Sequence, residues 1–274
     1  MALLVPGLAY GAAPTADLSV QIVPANADIV LPTPPSGKHW VNTFDDEFPG
    51  TSLDRSKWNL GYATDLWCAG CPQSTFGISV TPGLLSQTVD AVNTQRSALN
   101  TNQLFSQRFG YFVFRGKMPT NYTGEGNGLW PSWWSLPVGK AGFPGGCQEG
   151  NEESDIMEYY PQIPQGTITQ VQWNLHDYCL NQVNFMYPTN PSADLSASFH
   201  DYGMLWEDDG SPHGSLSIYF DGVQQHAPVT LDSRSMMWDN GIYLLTQVIP
   251  NANHSSPNDS LQLKFVRAYQ AVNN

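Results

Sequence analysis

The chain has 274 residues, which is enough for one large β domain whose core needs no covalent staples. Glycine (24), proline (21) and aromatic residues (12%) are frequent, and short apolar runs alternate with Gly, Pro, Asn and Ser clusters. Long helical periodicity is absent, and this pattern favours a sandwich or barrel. The net charge of −13, with only 11 basic residues, argues against nucleic acid or an anionic membrane as a partner. No apolar run approaches the roughly 20 residues of a membrane span.

The N-terminal part differs in composition from the rest. Residues 1–38 are rich in Ala and Pro and are predicted to be a tail and linker. Met1–Ala13 lacks a basic region and contains Pro6 and Gly7, which makes it a poor signal peptide; a residual signal segment is the alternative. Residues 39–274 are predicted to form the single folded domain.

Strands are predicted along the whole of that domain, after an opening strand and loop in residues 39–60. The apolar and alternating runs lie at Phe76–Val80, Leu84–Val92, Leu99–Phe105, Phe109–Met118, Thr167–Tyr178, Tyr202–Trp206, Ser215–Phe220, Ile242–Val248 and Leu261–Tyr269. Asp221-Gly222 is predicted to be the turn of a hairpin.

Four cysteines, Cys68, Cys71, Cys147 and Cys179, are interpreted as structural disulfides of a secreted protein. A redox Cys-x-x-Cys pair requires a βαβ context, which is not visible here, and a zinc site needs more soft ligands at suitable spacing. The sequence leaves the connectivity open. Cys147 with Cys179 would join the segments on either side of the acidic strand described below, and Cys68 with Cys71 would close a surface loop.

Residues 128–137 form an aromatic strand, Gly-Leu-Trp-Pro-Ser-Trp-Trp-Ser-Leu-Pro. Trp130 and Trp134 share parity and point to one face, and Trp133 points to the core. Because the C–H faces of sugar rings pack on indole rings, Trp130 and Trp134 are candidate substrate-binding residues; the alternative is that all three tryptophans lie in the core. Pro131 cannot donate a ladder hydrogen bond, so a bulge or a sheet edge is predicted there.

Three carboxylates follow within six residues, at Glu153, Asp155 and Glu158. On a regular strand Glu153 and Asp155 share a face, and Glu158 joins them only if one extra residue bulges near Ile156-Met157. The two glutamates would then be roughly 13 Å apart at the backbone. Their side chains would lean to about 5 Å, the separation that retaining glycosidases use. A solvated acidic edge is the alternative, which the apolar residues between the acids and the tryptophans upstream argue against.

The alternation in Thr167–Tyr178 places Gln172, Asn174 and His176 on one polar face of the next strand. His176 is therefore a candidate partner for a sugar hydroxyl or for one of the acids.

These motifs resemble glycoside hydrolase family 16. Glu153-Ser-Asp155-Ile-Met-Glu158 matches the family pattern E-x-D-x-x-E, and Gly128–Trp134 resembles its G-L-W-P-A-F-W strand. Weaker similarities occur in the family's order at Phe44–Phe48, Phe109–Pro119, Phe199–Trp206, Ile218–Gly222 and Phe265–Gln270.

The resemblance implies an all-β jelly-roll sandwich of two curved antiparallel sheets, concanavalin A-like, with an open cleft. It implies retaining endo-hydrolysis with Glu153 as the nucleophile, Glu158 as the acid/base and Asp155 holding the Glu153 rotamer. The negative charges of Glu153 and Asp155 are expected to raise the pKa of Glu158. This chemistry needs no cofactor and no catalytic metal, and the expected partner is a polysaccharide bound by an extracellular monomer.

The bulged triplet with Trp130 and Trp134 looks most like the laminarinase branch, which implies β-1,3-glucan or mixed β-1,3/1,4-glucan as substrate. An agarase- or carrageenase-type β-galactan hydrolase and a transglycosylase are alternatives within the family. A non-catalytic glucan-recognition protein is the alternative of another class, although retention of all three acids argues against it.

The resemblance also raises the question of a structural calcium. In many family members the glutamate of a D-E-F motif, here Glu47, binds calcium together with an aspartate of the closing strand. Lys264 stands at that second position, and an ammonium cannot ligate calcium. We therefore predict that the Lys264 ammonium replaces the ion and faces Glu47.

Overall fold

The computed structural model describes residues 29–61, 77–88, 97–119, 129–139, 152–159, 169–177, 183–250 and 260–274. Within these ranges the protein is built almost entirely of strands, with one short 3-10 helix at Met236–Asn240. None of the described segments forms a helix with the length and hydropathy of a membrane span. The strands are β1 (Lys38–Asp46), β2 (Asn59–Leu60), β3 (Ile78–Thr81), β4 (Leu84–Thr88), β5 (Ser97–Asn100), β6 (Gly110–Lys117), β7 (Leu129–Pro137), β8 (Glu153–Glu158), β9 (Val171–His176), β10 (Val183–Tyr187), β11 (His200–Glu207), β12 (Ser215–Phe220), β13 (Val223–Gln224), β14 (Val229–Thr230), β15 (Ile242–Pro250) and β16 (Ser260–Asn273).

Two antiparallel sheets are formed, so the predicted jelly-roll sandwich is confirmed. The nine-stranded sheet has the order β13-β12-β11-β6-β16-β4-β3, with β1 also paired to β16 and β14 to β12. The seven-stranded sheet has the order β10-β9-β8-β7-β15-β5-β2 and contains the acidic strand β8 near its middle. The acidic residues are therefore held by paired strands on both sides.

The main core lies between the sheets and is rich in aromatic side chains. Trp133 of the seven-stranded sheet packs on Phe114 of the nine-stranded sheet with 5.2 Å between ring centroids. Trp173, also fully buried, donates from Nε1 to Ser154 Oγ at 3.1 Å. Burying one such large side chain contributes about 1.5–3 kcal/mol. This packing makes β7, β8 and β9 a rigid base for the residues on their opposite face.

The turn between β12 and β13 is the hairpin predicted from the sequence. Asp221 and Gly222 both have positive φ angles, 47° and 77°, and Phe220 pairs with Val223. Such angles match the twist of the flanking strands in a two-residue hairpin.

The prediction for Pro131 was wrong. Strand β7 is an inner strand, and its register with β15 runs without a shift from Ile242↔Pro137 to Pro250↔Leu129. Pro131 is accommodated because its pairing with β8 ends one residue away, at Ser132↔Glu158, where Tyr159 donates its N–H to the Pro131 carbonyl at 3.0 Å.

Part of the predicted linker packs on the outer face of the nine-stranded sheet. Ile29 and Leu31 pack against a cluster that includes Tyr111 and Phe265. Trp40 Nε1 donates to the Pro32 carbonyl at 2.7 Å. Residues 1–28 of the predicted tail lie outside the described residues.

Candidate active site

The bulge that the acidic motif requires is present in β8. Asp155 pairs with Asn174 and Glu158 pairs with Gln172, so three steps along β8 match two steps along β9. The register of β8 with β7 shifts in the same place. One extra residue near Ile156 therefore brings Glu158 back to the face of Asp155.

The two faces of β8 have different environments. Ile156 and Met157 are fully buried in the core between the sheets. Glu153, Asp155 and Glu158 lie on the other face and are between 5 and 8% exposed. The apolar residues of β8 are thus buried in the core, and its three carboxylates lie together on the opposite face, largely shielded from solvent.

Glu158 is held by two neutral donors. Trp130 Nε1 donates to Oε1 at 2.6 Å, and Asn174 Nδ2 donates to Oε2. Burial raises the pKa of Glu158, and the negative charge of Glu153 adds to the effect, while the two hydrogen bonds and the charge of His176 oppose it. The raised pKa was predicted, but the prediction named only charges, and burial is the larger cause. A carboxyl with a raised pKa is suited to donating a proton.

His176 reaches the site from the neighbouring strand. It is aligned with Glu153 in the β8–β9 register, and its Nε2 lies 3.5 Å from Asp155 Oδ2. Its side chain is 41% exposed, so it lies at the rim of the shielded carboxylates rather than beneath them. His176 therefore lies beside one of the three acids at a partly exposed position.

The three tryptophans of β7 divide as the parity predicts. Trp133 is in the core, while Trp130 is directed at Glu158. Trp134 is only 3% exposed and packs with Leu136, Tyr243 and Leu245 in a separate cluster. Trp130 therefore touches a candidate catalytic group directly, and Trp134 forms part of the packed surface beside it.

Strand β15 adds two residues that the sequence analysis missed. Burial raises the pKa of Tyr243, and the negative charge of the nearby Glu153 adds to the effect, so the tyrosine hydroxyl remains a neutral donor. Gln247 Nε2 lies 3.5 Å from Ser132 Oγ, and Ser132 is opposite Glu158 in the β7–β8 register. The alternation in Ile242–Val248 was visible in the sequence, but the sequence did not show the order of strands that brings β15 beside β7.

The prediction that Lys264 faces Glu47 was wrong. The cation beside Glu47 is Arg267, whose Nη2 contacts Glu47 Oε1 and whose Nε lies 3.2 Å from Asp45 Oδ1. Lys264 sits where the β16 register shifts, with its Nζ 5.2 Å from the centroid of the Phe199 ring. The bulge turns Lys264 away and places Arg267 directly opposite Asp45.

The last two questions raised by the sequence are a metal site and the pairing of the cysteines. Within the described residues, no three His, Cys, Asp or Glu side chains converge in a way that would hold a metal ion. Cys68, Cys71, Cys147 and Cys179 all lie outside the described residues, so the disulfide prediction stays a prediction.

Comparison with known proteins gives the same fold. SCLam, a non-specific endo-beta-1,3(4)-glucanase from family GH16, is 19% identical with a TM-score of 0.65, covering 89% of this chain and 97% of that one. No protein-family model matches the chain. In sequence it is similar to glucan endo-1,3-beta-glucosidase A1 of Niallia circulans, with 27% identity over 305 aligned positions. The alignment covers 94% of this chain and 41% of that protein, so the chain spans less than half the length of this relative.

Solved structures give the same result for the fold. The endo-1,3-beta-glucanase of Streptomyces sioyaensis is 20% identical with a TM-score of 0.67, covering 89% of this chain and all of that one. The catalytic domain of a laminarinase from Thermotoga petrophila RKU-1 is 19% identical with a TM-score of 0.65, covering 86% of this chain and all of that one. The fold that the sequence motifs implied by resemblance is thereby confirmed.

Proposed function

We propose that the protein is a retaining endo-glycoside hydrolase that cleaves β-1,3-glucan of the laminarin type or mixed β-1,3/1,4-glucan. The observation that carries the proposal is the bulge in β8, which gathers Glu153, Asp155 and Glu158 on one shielded face. A solvated acidic strand edge would need neither the bulge nor the indole donor that contacts Glu158.

The reaction uses the two glutamates in different protonation states. Glu158, whose pKa is raised, protonates the glycosidic oxygen, while the Glu153 carboxylate attacks the anomeric carbon and forms a covalent glycosyl-enzyme. Glu158, now ionised, takes a proton from the incoming water, which displaces Glu153 and completes hydrolysis with net retention. Formation of the glycosyl-enzyme removes the charge of Glu153, which lowers the pKa of Glu158 when it must act as a base.

The neighbouring side chains support these two roles. Trp130 and Asn174 donate to the Glu158 carboxylate and so stabilise the ion that forms when it releases its proton. Asp155 lies two residues from Glu153 on the same face of β8, with His176 beside it, and its proposed role is to hold the Glu153 rotamer. Trp130, which is half-buried, offers indole surface to the sugar rings, whereas Trp134 is 3% exposed and supports the site by packing.

The choice of glucan rests on the relatives. The Niallia circulans protein is a glucan endo-1,3-beta-glucosidase, and the structural neighbour SCLam is a non-specific endo-beta-1,3(4)-glucanase. These names support a β-glucan over the galactans of agarases and carrageenases.

We further propose that the protein is secreted as a monomer with disulfides among its four cysteines. Thiol titration with and without reductant tests the disulfides. Light scattering of the secreted form tests the monomer.

The test is reducing-end release from laminarin, mixed-linkage β-glucan, agarose and carrageenan by the parent and by Glu153→Gln. The proposal expects activity on laminarin that falls by at least about 10⁴-fold in the variant, as for loss of a catalytic carboxylate. Activity on agarose alone would overturn the substrate. Activity on no polymer, with unchanged laminarin binding by both proteins, would favour a glucan-recognition protein.

A further inference from the structure

A serine, a histidine and an aspartate lie in hydrogen-bonded order at one end of the nine-stranded sheet. Ser198 Oγ is 2.9 Å from His200 Nε2, and His200 Nδ1 is 2.8 Å from Asp221 Oδ2. Ser198 precedes β11 by two residues, and Asp221 is in the turn after β12, the strand that pairs with β11. The antiparallel pairing of β11 and β12 thus brings together groups that are 23 residues apart at most.

The protonation states follow from the surroundings of Asp221. Burial alone would raise the pKa of this carboxyl, but the hydrogen bonds from His200 and from the Asp201 N–H lower it below its ordinary value. The Asp201 N–H lies 2.8 Å from Asp221 Oδ1. An ionised Asp221 can only accept a hydrogen bond, so His200 Nδ1 is the donor to it, and the Nε2 of a neutral ring accepts a hydrogen bond from the Ser198 hydroxyl.

The histidine is fixed while the serine is open to solvent. His200 is 9% exposed, and its ring stacks on Phe220 with 5.0 Å between centroids and 25° between planes. Ser198 is exposed. A base held by packing and by a carboxylate, next to an accessible hydroxyl, is the arrangement of an activated nucleophile.

The cluster is separate from the acidic site. His200 begins β11 of the nine-stranded sheet, with Ser198 just before that strand and Asp221 just after β12, whereas Glu153 and Glu158 are on the outward face of the seven-stranded sheet. Glycoside hydrolysis as proposed above makes no use of these three residues.

We propose that Ser198, His200 and Asp221 form a second hydrolytic centre of the serine type, which takes small activated carboxylic esters. Ser198 Oγ attacks the ester carbonyl while His200 Nε2 takes its proton, and the alcohol departs from the tetrahedral intermediate with that proton, leaving an acyl-serine. Water then attacks the acyl-serine with His200 again as the base, which releases the carboxylic acid and restores Ser198. Esters with good leaving groups are the expected class because nucleophile, base and orienting carboxylate suffice for them, whereas amides also need strong stabilisation of the oxyanion.

The test uses p-nitrophenyl acetate hydrolysis with the full chain and its variants. Ser198→Ala is expected to reduce the rate by about 100-fold, the typical size of a base-assisted nucleophilic contribution, while laminarin hydrolysis is unchanged. Ser196→Ala is the matched control, because Ser196 lies in the same loop but donates to Asp194 Oδ1 at 2.7 Å instead of to a histidine. Glu153→Gln should retain the full ester hydrolysis, which separates this centre from the glycosidase site.

Covalent labelling identifies the nucleophile directly. An alkyl fluorophosphonate should phosphonylate Ser198 in the parent and in Ser196→Ala, as read by peptide mass spectrometry, and Asp221→Asn should slow the labelling because the histidine tautomer is then wrong. Equal ester hydrolysis by the parent and Ser198→Ala, or a fluorophosphonate adduct on other serines with none on Ser198, would overturn the proposal.

Discussion

The hydrogen bond from Trp130 to Glu158 makes a testable link between the structure and the pH dependence of the proposed activity. The indole Nε1 is 2.6 Å from Glu158 Oε1, and the contact opposes the effects of burial and of Glu153 on the pKa. Trp130→Phe keeps an aromatic ring and removes the donor. A hydrogen bond to a charged group contributes about 1.5–3 kcal/mol, and the protonated carboxyl retains part of it.

The sign of the effect is fixed by the role of Glu158. The first chemical step needs the protonated acid, so activity falls as the pH rises through the pKa of Glu158. Loss of a donor that favours the anion raises that pKa. The alkaline limb of the kcat profile should therefore move to higher pH, by about 0.5–1 pH unit if half of the hydrogen-bond energy discriminates between the two forms.

The assay is the initial rate of laminarin hydrolysis between pH 4 and about pH 10, the range over which carboxyl pKa values fall even when strongly shifted. Trp40→Phe is the matched control: it removes an indole hydrogen bond of 2.7 Å, to the Pro32 carbonyl on the outer face of the other sheet. The control should keep the parent's alkaline limb. A limb in Trp130→Phe that stays in place or moves to lower pH would refute the reasoning.

Three further predictions concern single contacts. Asn174→Ala removes the second donor to Glu158 and should also move the alkaline limb of kcat to higher pH. Thr246→Val, at a fully buried position, leaves the carboxamide oxygen of Gln87 without its 2.5 Å hydrogen bond and should lower the free energy of unfolding in urea by about 1–3 kcal/mol. A chelator should leave the melting temperature unchanged, whereas Arg267→Met should lower it by at least about 2 °C because two acidic neighbours lose their cation.

Each of these has an outcome that would contradict it. An alkaline limb that moves to lower pH in Asn174→Ala would mean that Asn174 favours the protonated form of Glu158. Thr189→Val is the control for Thr246→Val, because Thr189 is exposed and its hydroxyl contact with Gln225 is 3.5 Å long; equal unfolding free energies in the two variants would count against the buried pair. A melting temperature lowered by the chelator would show that an ion, and not Arg267, balances the acidic side chains.

The bulge in β8 was predictable because the need for three acids on one face and the spacing of apolar residues between them both concern a single strand. Three acids at this spacing can share a face only if one extra residue is inserted among them. The inserted position falls at Ile156-Met157, and both of these apolar side chains are buried in the core. The division of Trp130 and Trp133 was predictable for a similar reason, since parity alone decides it.

The errors arise where the register between distant strands decides the result. Lys264 was predicted to face Glu47 because it stands at the position of the calcium-binding aspartate in the closing strand of many family members. In the structure, the register of β1 with β16 places Arg267 opposite Asp45, and Arg267 contacts Glu47. The roles of Tyr243 and Gln247 depend on the pairing of β15 with β7, which joins residues more than 100 positions apart. Hydrophobic periodicity fixes which face a residue takes within its strand, but it carries no information on which strand lies beside it.

The central claim is that Glu153 and Glu158 on the bulged strand act as nucleophile and acid/base of a retaining glucanase. The most direct test is to incubate the protein with a 2-deoxy-2-fluoro-β-laminaribioside that carries a dinitrophenyl leaving group, and to locate the adduct by peptide mass spectrometry. The account predicts one fluorinated glycosyl group on Glu153, formed by the parent and absent from Glu153→Gln. An adduct on Glu158, or hydrolysis of laminarin with inversion at the anomeric carbon and no adduct, would contradict it.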